Sequence, residues 1–326
     1  MRGYLEGDKL IVSFMDLLGF SRLLEKDVET AYEVLDQFNR IIKRKIIDQK
    51  NHPADSYDDK DLQEFVRMQE VNSFTNMISI SDSLIIGADD PNIFLNQLCY
   101  FISSAFIESN EPFRKPITDI NTSKKRYYGN LETGIFTEKV GGAFPILFRG
   151  GIAVGEAIFS PELQIYNGEA KQYGLNVTGQ AYLQAVKLEN LRIKGPRLLC
   201  KQEFYDLLST ENKTKLSIVS EEDKLYEVNW TVWAFEVLDR SSIKIMNINQ
   251  GLRQTLLQPA VNLYNYFNDN EEGVSIHLHY LELIRLIYRG AVTYSQIHDL
   301  DQKRVLDLFK VETAKLNGIT FDEIIE

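Results

Sequence analysis

The sequence predicts an α+β protein with a mainly helical C-terminal region. Runs rich in Val, Ile, Leu and Phe at 10–15, 74–87 and 146–159 have strand composition and are bounded by Gly, Asp and Ser. Between them, apolar residues recur at intervals of three and four, the spacing of helices that bury one face. From about Ile243 onward the strand-like runs cease, and segments such as LHYLELIRLIYRGA and KRVLDLFKVETAKL read as helices.

Taken in order, Leu10 to Met15 forms the first strand and delivers one carboxylate, Asp16. The chain then turns through Leu17, Leu18 and Gly19 into a helix beginning near Ser21. A strand end, an acid and a helix N-terminus so close together suit a metal-bound polyphosphate: the carboxylate can hold a divalent cation while unpaired amides face phosphate oxygens. Read alone, the same aspartate is equally a cap or turn residue. From Arg22 to Ile47 the residues Leu23, Leu24, Val28, Ala31, Tyr32, Leu35, Phe38, Ile42 and Ile46 predict one amphipathic helix packed on a sheet. Polar residues from Asp48 to Asp61 predict a surface loop.

Phe74 to Gly87 predicts a β-hairpin with Asp82, between Ser81 and Ser83, at its tip. Pro91 then opens a helix carrying Phe94, Leu95, Leu98, Phe101, Ile102 and Phe106. Asn110 to Gly142 is polar, glycine-containing and basic at Lys124, Lys125 and Arg126, and is either a long insertion or a lid. In the next strand, Ile146 to Phe159, Gly150, Gly151 and Gly155 permit close backbone approach, and Arg149 stands at its head, able to pair with an acid or meet a phosphate. Thr178 to Leu191 predicts a helix capped by Thr178. A strand at Arg197 to Cys200, a helix at Gln202 to Leu208 and a strand at Val228 to Leu238, with Trp230 and Trp233 on opposite faces, follow.

Composition narrows the function. The 326 residues, 44% hydrophobic, allow one large or two medium domains. The expected division is 1–240, with insertions at about 48–70 and 110–142, and a helical region at 241–326. A net charge of −11 argues against a general nucleic-acid binder. Cys99 and Cys200 lie in apolar runs without zinc or redox spacing and are expected to be buried thiols. His277 and His279 are two apart, so on a helix they do not share a metal. The start MRGYLEGDKL has no apolar signal core, and no run approaches the roughly 20 apolar residues of a membrane span. A cytoplasmic protein with no membrane or nucleic-acid partner is expected.

Asp16 and Asp82 each stand at the end of an apolar strand, and strands side by side would let the two carboxylates share two divalent ions, as in two-metal phosphoryl chemistry. Four segments then resemble class III nucleotidyl cyclases, in family order over about residues 10–210. SFMDLLGFS resembles the first metal motif, ISISDSLIIG the hairpin with the second metal aspartate, FRGGIAVGEAIF the R-x-G-I-x-x-G strand, and VTGQAYLQAVKLE the G-x-x-V-N-x-A-x-R-L-E helix. The resemblance implies a ferredoxin-like α+β catalytic domain with a long insertion and a mainly helical C-terminal extension. It implies that Asp16 and Asp82 bind two metals (Mn²⁺ or Mg²⁺) with help from the Leu17 carbonyl. The amides of Leu18, Gly19 and Phe20 would then cradle the β- and γ-phosphates. A head-to-tail homodimer with sites at its interface is implied as well.

Departures from the family pattern are equally informative. Aligning Gly179 with the motif glycine puts Leu183 at the family's ribose-orienting Asn and Lys187 at its transition-state Arg. Lys187 keeps the charge without the bidentate fork. Leu183 donates nothing, so Tyr182 or Gln184 is the expected substitute, or catalysis is organised differently. The adenine-reading Lys aligns with Ile78 and its partner Asp with Asn176, which disfavours ATP, whereas an Asn amide suits a uracil or cytosine edge. With DLLGF and the Ser-Asp-Ser tip, this pattern is similar to the bacterial pyrimidine cyclases of Pycsar antiphage systems. The resemblance implies UTP as substrate and cyclic UMP as product, with CTP and cyclic CMP as the alternative, acting through a separate cyclic-nucleotide effector protein. A purine cyclase with unusual base contacts and a degenerate nucleotide-binding or scaffold homologue are further readings. Retention of both aspartates favours an enzyme, because facing carboxylates are costly without a cation.

Overall fold

The computed structural model describes residues 5–26, 28–117, 124–130, 135–141, 144–166, 169–241, 252–270 and 276–325. Its first part runs β1 (Leu5–Leu17), α1 (Phe20–Lys26), α2 (Val28–Asn51), α3 (Lys60–Gln69), the hairpin of β2 (Asn76–Ile80) and β3 (Ser83–Ala88), and α4 (Pro91–Ser109). A separate two-stranded pair, β4 (Lys124–Asn130) and β5 (Ile135–Gly141), precedes β6 (Phe148–Tyr166), β7 (Glu169–Thr178) and α5 (Gln180–Glu189). Then come β8 (Leu198–Lys201), α6 (Gln202–Leu207), α7 (Thr210–Lys213), β9 (Leu216–Ser220), β10 (Leu225–Val228) and α8 (Thr231–Ser241). A π-helical turn at Leu252–Leu257, α9 (Gln258–Asn270), α10 (His277–Ile297), α11 (Gln302–Thr313) and α12 (Phe321–Ile325) complete the described chain.

The sheet is ordered β2-β3-β1-β6-β8-β10-β9, with β7 on β6. β1 lies antiparallel between β3 and β6, so β1, its helices, the β2–β3 hairpin, α4 and β6 form the βαββαβ unit of ferredoxin-like folds. The predicted α+β class therefore holds, as does the helical C-terminal part.

The pleat divides the core. Ile11 and Met15 of β1, with Leu84, Ile86 and Ile152, face α2 and α4 and join Phe38, Leu98 and Phe101 in the main apolar cluster. Leu10 and Val12, with Ile78, Ile85, Ala157 and Phe159, form a second cluster on the opposite face, capped by Ala181 of α5. Close packing there requires small residues. A Cβ at Gly151 would lie 2.3 Å from the Ala185 carbonyl oxygen and 2.5 Å from the Leu188 Cβ.

Four predicted elements change. The stripe predicted for the helix from Arg22 to Ile47 is partly wrong: Leu24, Val28 and Tyr32 are exposed, while Ala31, Val34, Phe38, Ile41 and Ile42 pack inward at a helical period. The polar stretch after Asp48 continues α2 to Asn51 and then holds α3, capped by the Asp59 side chain, which accepts from Leu62 N–H. The strand predicted at Val228 to Leu238 ends at Val228 and becomes α8. Its Trp230, Val232, Trp233, Ala234 and Phe235 are buried on all sides, and a continuously apolar run does not distinguish strand from buried helix. Both indoles are satisfied, Trp230 donating to the Pro196 carbonyl at 2.9 Å and Trp233 to Asn96 Oδ1 at 3.0 Å. Thr178 ends β7, and Gly179 occupies the cap position without a side-chain bond.

The C-terminal helices share the main cluster with α4 and α8, reaching Ile284, Ile287, Phe309 and Ile324. A buried ionic group ties α10 to the sheet: Arg197 pairs with Glu227 of β10 (3.4 Å) and Glu282 of α10 (2.6 Å), and Arg289 pairs with Glu227 (2.8 Å). The Arg197 carbonyl accepts from Gly150 N–H of β6 at 2.8 Å. Cys99 and Cys200 are buried thiols, as expected. No described helix is long and apolar enough to cross a membrane.

Gly151→Ala should therefore destabilise the protein by about 1–3 kcal/mol in urea unfolding, because α5 cannot retreat without uncovering the second cluster.

Candidate active site

Asp16 extends the alternation of Leu10, Val12 and Phe14 along β1, which places it on the α5 side of the sheet. In the ladder it stands opposite Ser83 of β3 and Arg149 of β6. Asp82 sits in the two-residue hairpin turn, after Ser81 at φ +54°. Its carbonyl accepts from Leu17 N–H at 3.1 Å, which locks the hairpin tip to the end of β1. The two aspartates predicted to act together are thus neighbours, at the ends of adjacent strands.

Asp16 is the electrostatic centre of this group. Burial pushes its carboxyl up to about 6, and the neighbouring Asp82 pushes the same way. Arg149 opposes the shift with an Nη2 to Oδ2 contact of 3.4 Å, Glu189 adds to it, and Ser83 Oγ donates to Oδ1 at 3.2 Å. Glu189, at the last turn of α5, lies with Oε1 2.6 Å from Arg149 Nε. Arg149 is thus shared by two carboxylates, Asp16 and Glu189, and Asp16 feels a third in Asp82, an arrangement that an added cation would relieve. Among the described residues no three His, Cys, Asp or Glu side chains make a ready metal cage. A divalent ion here would rest on Asp16 and Asp82, with oxygens from the backbone and from a substrate, a donor set that suits Mg²⁺-type ions.

The turn into α1 narrows the predicted phosphate seat. Leu18 N–H donates to the Leu147 carbonyl at 2.8 Å, so that amide is committed inside the protein. Gly19 takes φ +83°, a left-handed conformation natural to glycine, and its carbonyl accepts from Leu23 N–H. The Gly19 and Phe20 amides have no acceptor among the described residues, although the Phe20 side chain itself is buried.

On α5 the predicted residues point elsewhere. Ala181, Ala185, Leu188 and Glu189 face the sheet, whereas Leu183, Gln184 and Lys187 are exposed. Lys187 makes no ion pair among the described residues and lies about 200° around the helix from Glu189. Tyr182 packs edge-on against Phe14, with ring centroids 6.3 Å apart. Ile78 is a core residue of the second cluster beside Val177, so its side chain lines the sheet instead of an open pocket. Asn176, next to Val177 on β7, is exposed, and its Oδ1 accepts from Val177 N–H at 2.8 Å.

Nothing in the local sequence pattern marks Ser83 for a role, and Arg149 fits either of two roles by its place at the strand head. A signal for Glu189 was present: it is four residues beyond Ala185 and eight beyond Ala181, on the sheet-facing side. A carboxylate buried at a helix C-terminus, where the dipole disfavours it, needs a cation.

Because the folded state raises the Asp16 value, the native protein binds the proton more tightly than the unfolded chain, and stability falls as pH rises from about 4 to about 6. Asp16→Asn should remove that loss. In metal-free buffer at pH 7.5 it should raise unfolding free energy by on the order of 1–3 kcal/mol, a gain that shrinks towards zero near pH 4 in parallel denaturant titrations.

No family model and no curated protein matches this chain. Among solved structures, it overlaps the catalytic core of a rhodopsin-guanylyl cyclase with converted specificity in complex with ATPαS, at 12% identity over 70% of this chain and 98% of that one, TM-score 0.37. A bacterial light-regulated adenylyl cyclase overlaps at 13% identity, 68% and 91% coverage and TM-score 0.37. The guanylyl cyclase Cya2 does so at 11% identity, 69% and 94% coverage and TM-score 0.39. These are loose likenesses, too distant for residue roles to transfer.

Proposed function

We propose that this chain is a metal-dependent nucleotide cyclase that converts UTP to 3′,5′-cyclic UMP and pyrophosphate. The observation that carries the reading is the Asp16–Asp82 pair at adjacent strand ends, beside a glycine turn that opens a helix. Asp16 and Asp82 would hold two divalent ions, which when bound supply the positive charge that activates the ribose hydroxyl and offsets the leaving pyrophosphate. The chain's own contribution is positioning. The Gly19 and Phe20 amides would hold phosphate oxygens, with Leu18 serving as the fixed edge of that seat. The ribose 3′-hydroxyl would attack the α-phosphorus in line with departure of pyrophosphate.

Lys187 is the candidate cation for the transition state, and its orientation bears on assembly. It faces away from its own Asp16, towards solvent, so a second copy of the chain is needed to bring one protomer's Lys187 to the other's carboxylates. This supports a homodimer with two shared sites. Tyr182 and Gln184, flanking exposed Leu183, are the side chains available to orient the ribose. The Asn176 amide would offer its Nδ2–H donors, and the second lone pair of the Oδ1 that accepts from Val177 N–H, to a pyrimidine edge, while buried Ile78 offers neither to a purine. In this reading the cyclic product acts on a separate effector protein in defence against phage.

The decisive assay incubates the purified chain with each of the four ribonucleoside triphosphates and Mn²⁺ or Mg²⁺ and identifies products by mass. Cyclic UMP should dominate; cyclic CMP would move the assignment to the other pyrimidine, and cyclic AMP or GMP would overturn the base reading. No product from any triphosphate, with nucleotide binding unchanged in Asp82→Ala, would favour the scaffold reading. Lys187→Ala should lower kcat by roughly 100-fold or more with little change in KM. Mixing inactive Asp16→Asn with inactive Lys187→Ala should restore roughly a quarter of wild-type activity, because half the dimers are mixed and each has one intact site. Absence of any recovery, with mixed dimers shown to form, would place Lys187 and Asp16 outside a shared site.

A further inference from the structure

Resting on the reading of Asp16 and Asp82 as a cation seat, we propose that Arg149 is the built-in counter-ion that a divalent metal must displace from Asp16, and that Glu189 is the positioning residue that retains the displaced guanidinium.

Register puts Arg149 directly opposite Asp16, and both side chains lie on the α5 face of the sheet. The guanidinium therefore has two anionic partners, Asp16 at 3.4 Å and Glu189 at 2.6 Å. They are unequal. Glu189 is only 5% exposed and comes from the helix, whereas Asp16 is 18% exposed and stands beside a second carboxylate. The Asp16 contact is long for a charged hydrogen bond, and the Arg149 Nε–H is not aimed at Glu189 Oε1, so neither contact is a bidentate fork. The guanidinium is held by charge and one long hydrogen bond, not by a two-bond fork that would fix its orientation.

Charge counting favours exchange. Asp16, Asp82 and Glu189 supply three negative charges and Arg149 one positive, so the cluster is under-neutralised. A divalent ion between Asp16 and Asp82 would satisfy both and release Arg149 from Asp16. Glu189 would then keep the guanidinium nearby, with its own buried charge paired, so that neither ion is left alone in the interior. Glu189 thus contributes in two ways that act together: its negative field draws the metal, and it gives Arg149 a place to go.

The test is Mn²⁺ binding to the full chain without nucleotide, followed by the electron paramagnetic resonance signal of free Mn²⁺ at fixed pH and ionic strength. Arg149→Met should bind Mn²⁺ about tenfold more tightly than wild type, since a like charge is removed from the seat. Glu189→Gln should bind several-fold more weakly, because a negative charge is lost and Arg149 is left with Asp16 alone. A purely structural pair gives no such opposed changes. Arg149→Met leaves Glu189 buried and unpaired, so the double variant R149M/E189Q, which leaves no lone charge, provides the second arm: it should bind more tightly than E189Q. Equal or weaker binding by folded R149M, or by the double variant relative to E189Q, overturns the role of Arg149; tighter binding by E189Q overturns that of Glu189. Wild-type binding that is lost in Asp16→Asn but unchanged in R149M and E189Q sinks this proposal alone. No Mn²⁺ binding by wild type removes the cation seat itself, and this proposal with it.

Discussion

The close approach of α5 to β6 governs the geometry of the candidate site. Gly151, Ala153, Gly155 and Ala157 recur at every second position of β6, and Ala181 and Ala185 stand four apart on the helix, so two strips of small residues meet. A helix seated that closely carries its last turn, with Glu189, down to the level of Arg149 and Asp16. With larger residues in either strip, Glu189 would be lifted from Arg149, and the acid would lose the cation that makes its burial tolerable. The packing and the electrostatics are therefore one arrangement: small side chains set a distance, and the distance sets which charges meet.

The same contact splits the helix into two working faces. Its inner face is committed to the sheet, and its outer face carries Leu183, Gln184 and Lys187 into solvent. Leu183 is 52% exposed on this outer face, while Ala181, Ala185, Leu188 and Glu189 fill the inner one.

How much of this was legible in the sequence depended on whether a residue's role is local. The acids at the ends of β1 and the β2–β3 turn were legible because a strand followed by Asp and a turn has a short-range signature. The Pro91 helix start was legible for the same reason. The α8 segment was not, because Trp, Val and Phe compose a buried helix as readily as a strand, and only the surrounding core distinguishes them. Leu24, Val28 and Tyr32 were misplaced because helical spacing identifies a stripe without saying which of two overlapping stripes meets the sheet. Glu189 and Arg149 are forty residues apart, and their pairing exists only once α5 lies on β6. The loss of the Leu18 amide to Leu147 is likewise a tertiary event without a local mark.

One connection gives the C-terminal helices a mechanical role. The backbone carbonyl of Arg197 holds Gly150, next to Arg149, while its side chain is clamped between Glu227 of the sheet and Glu282 of α10. Arg197 is thus a rivet whose head is set in the helical region and whose shank passes into the strand beneath the charge cluster. Strain applied to α10 reaches β6 through this residue as well as through the apolar cluster that both share. Because Ile284, Ile287 and Phe309 of the tail lie in the same apolar cluster as Ile152 of β6, removing the tail would uncover that core and release Arg197 in one event.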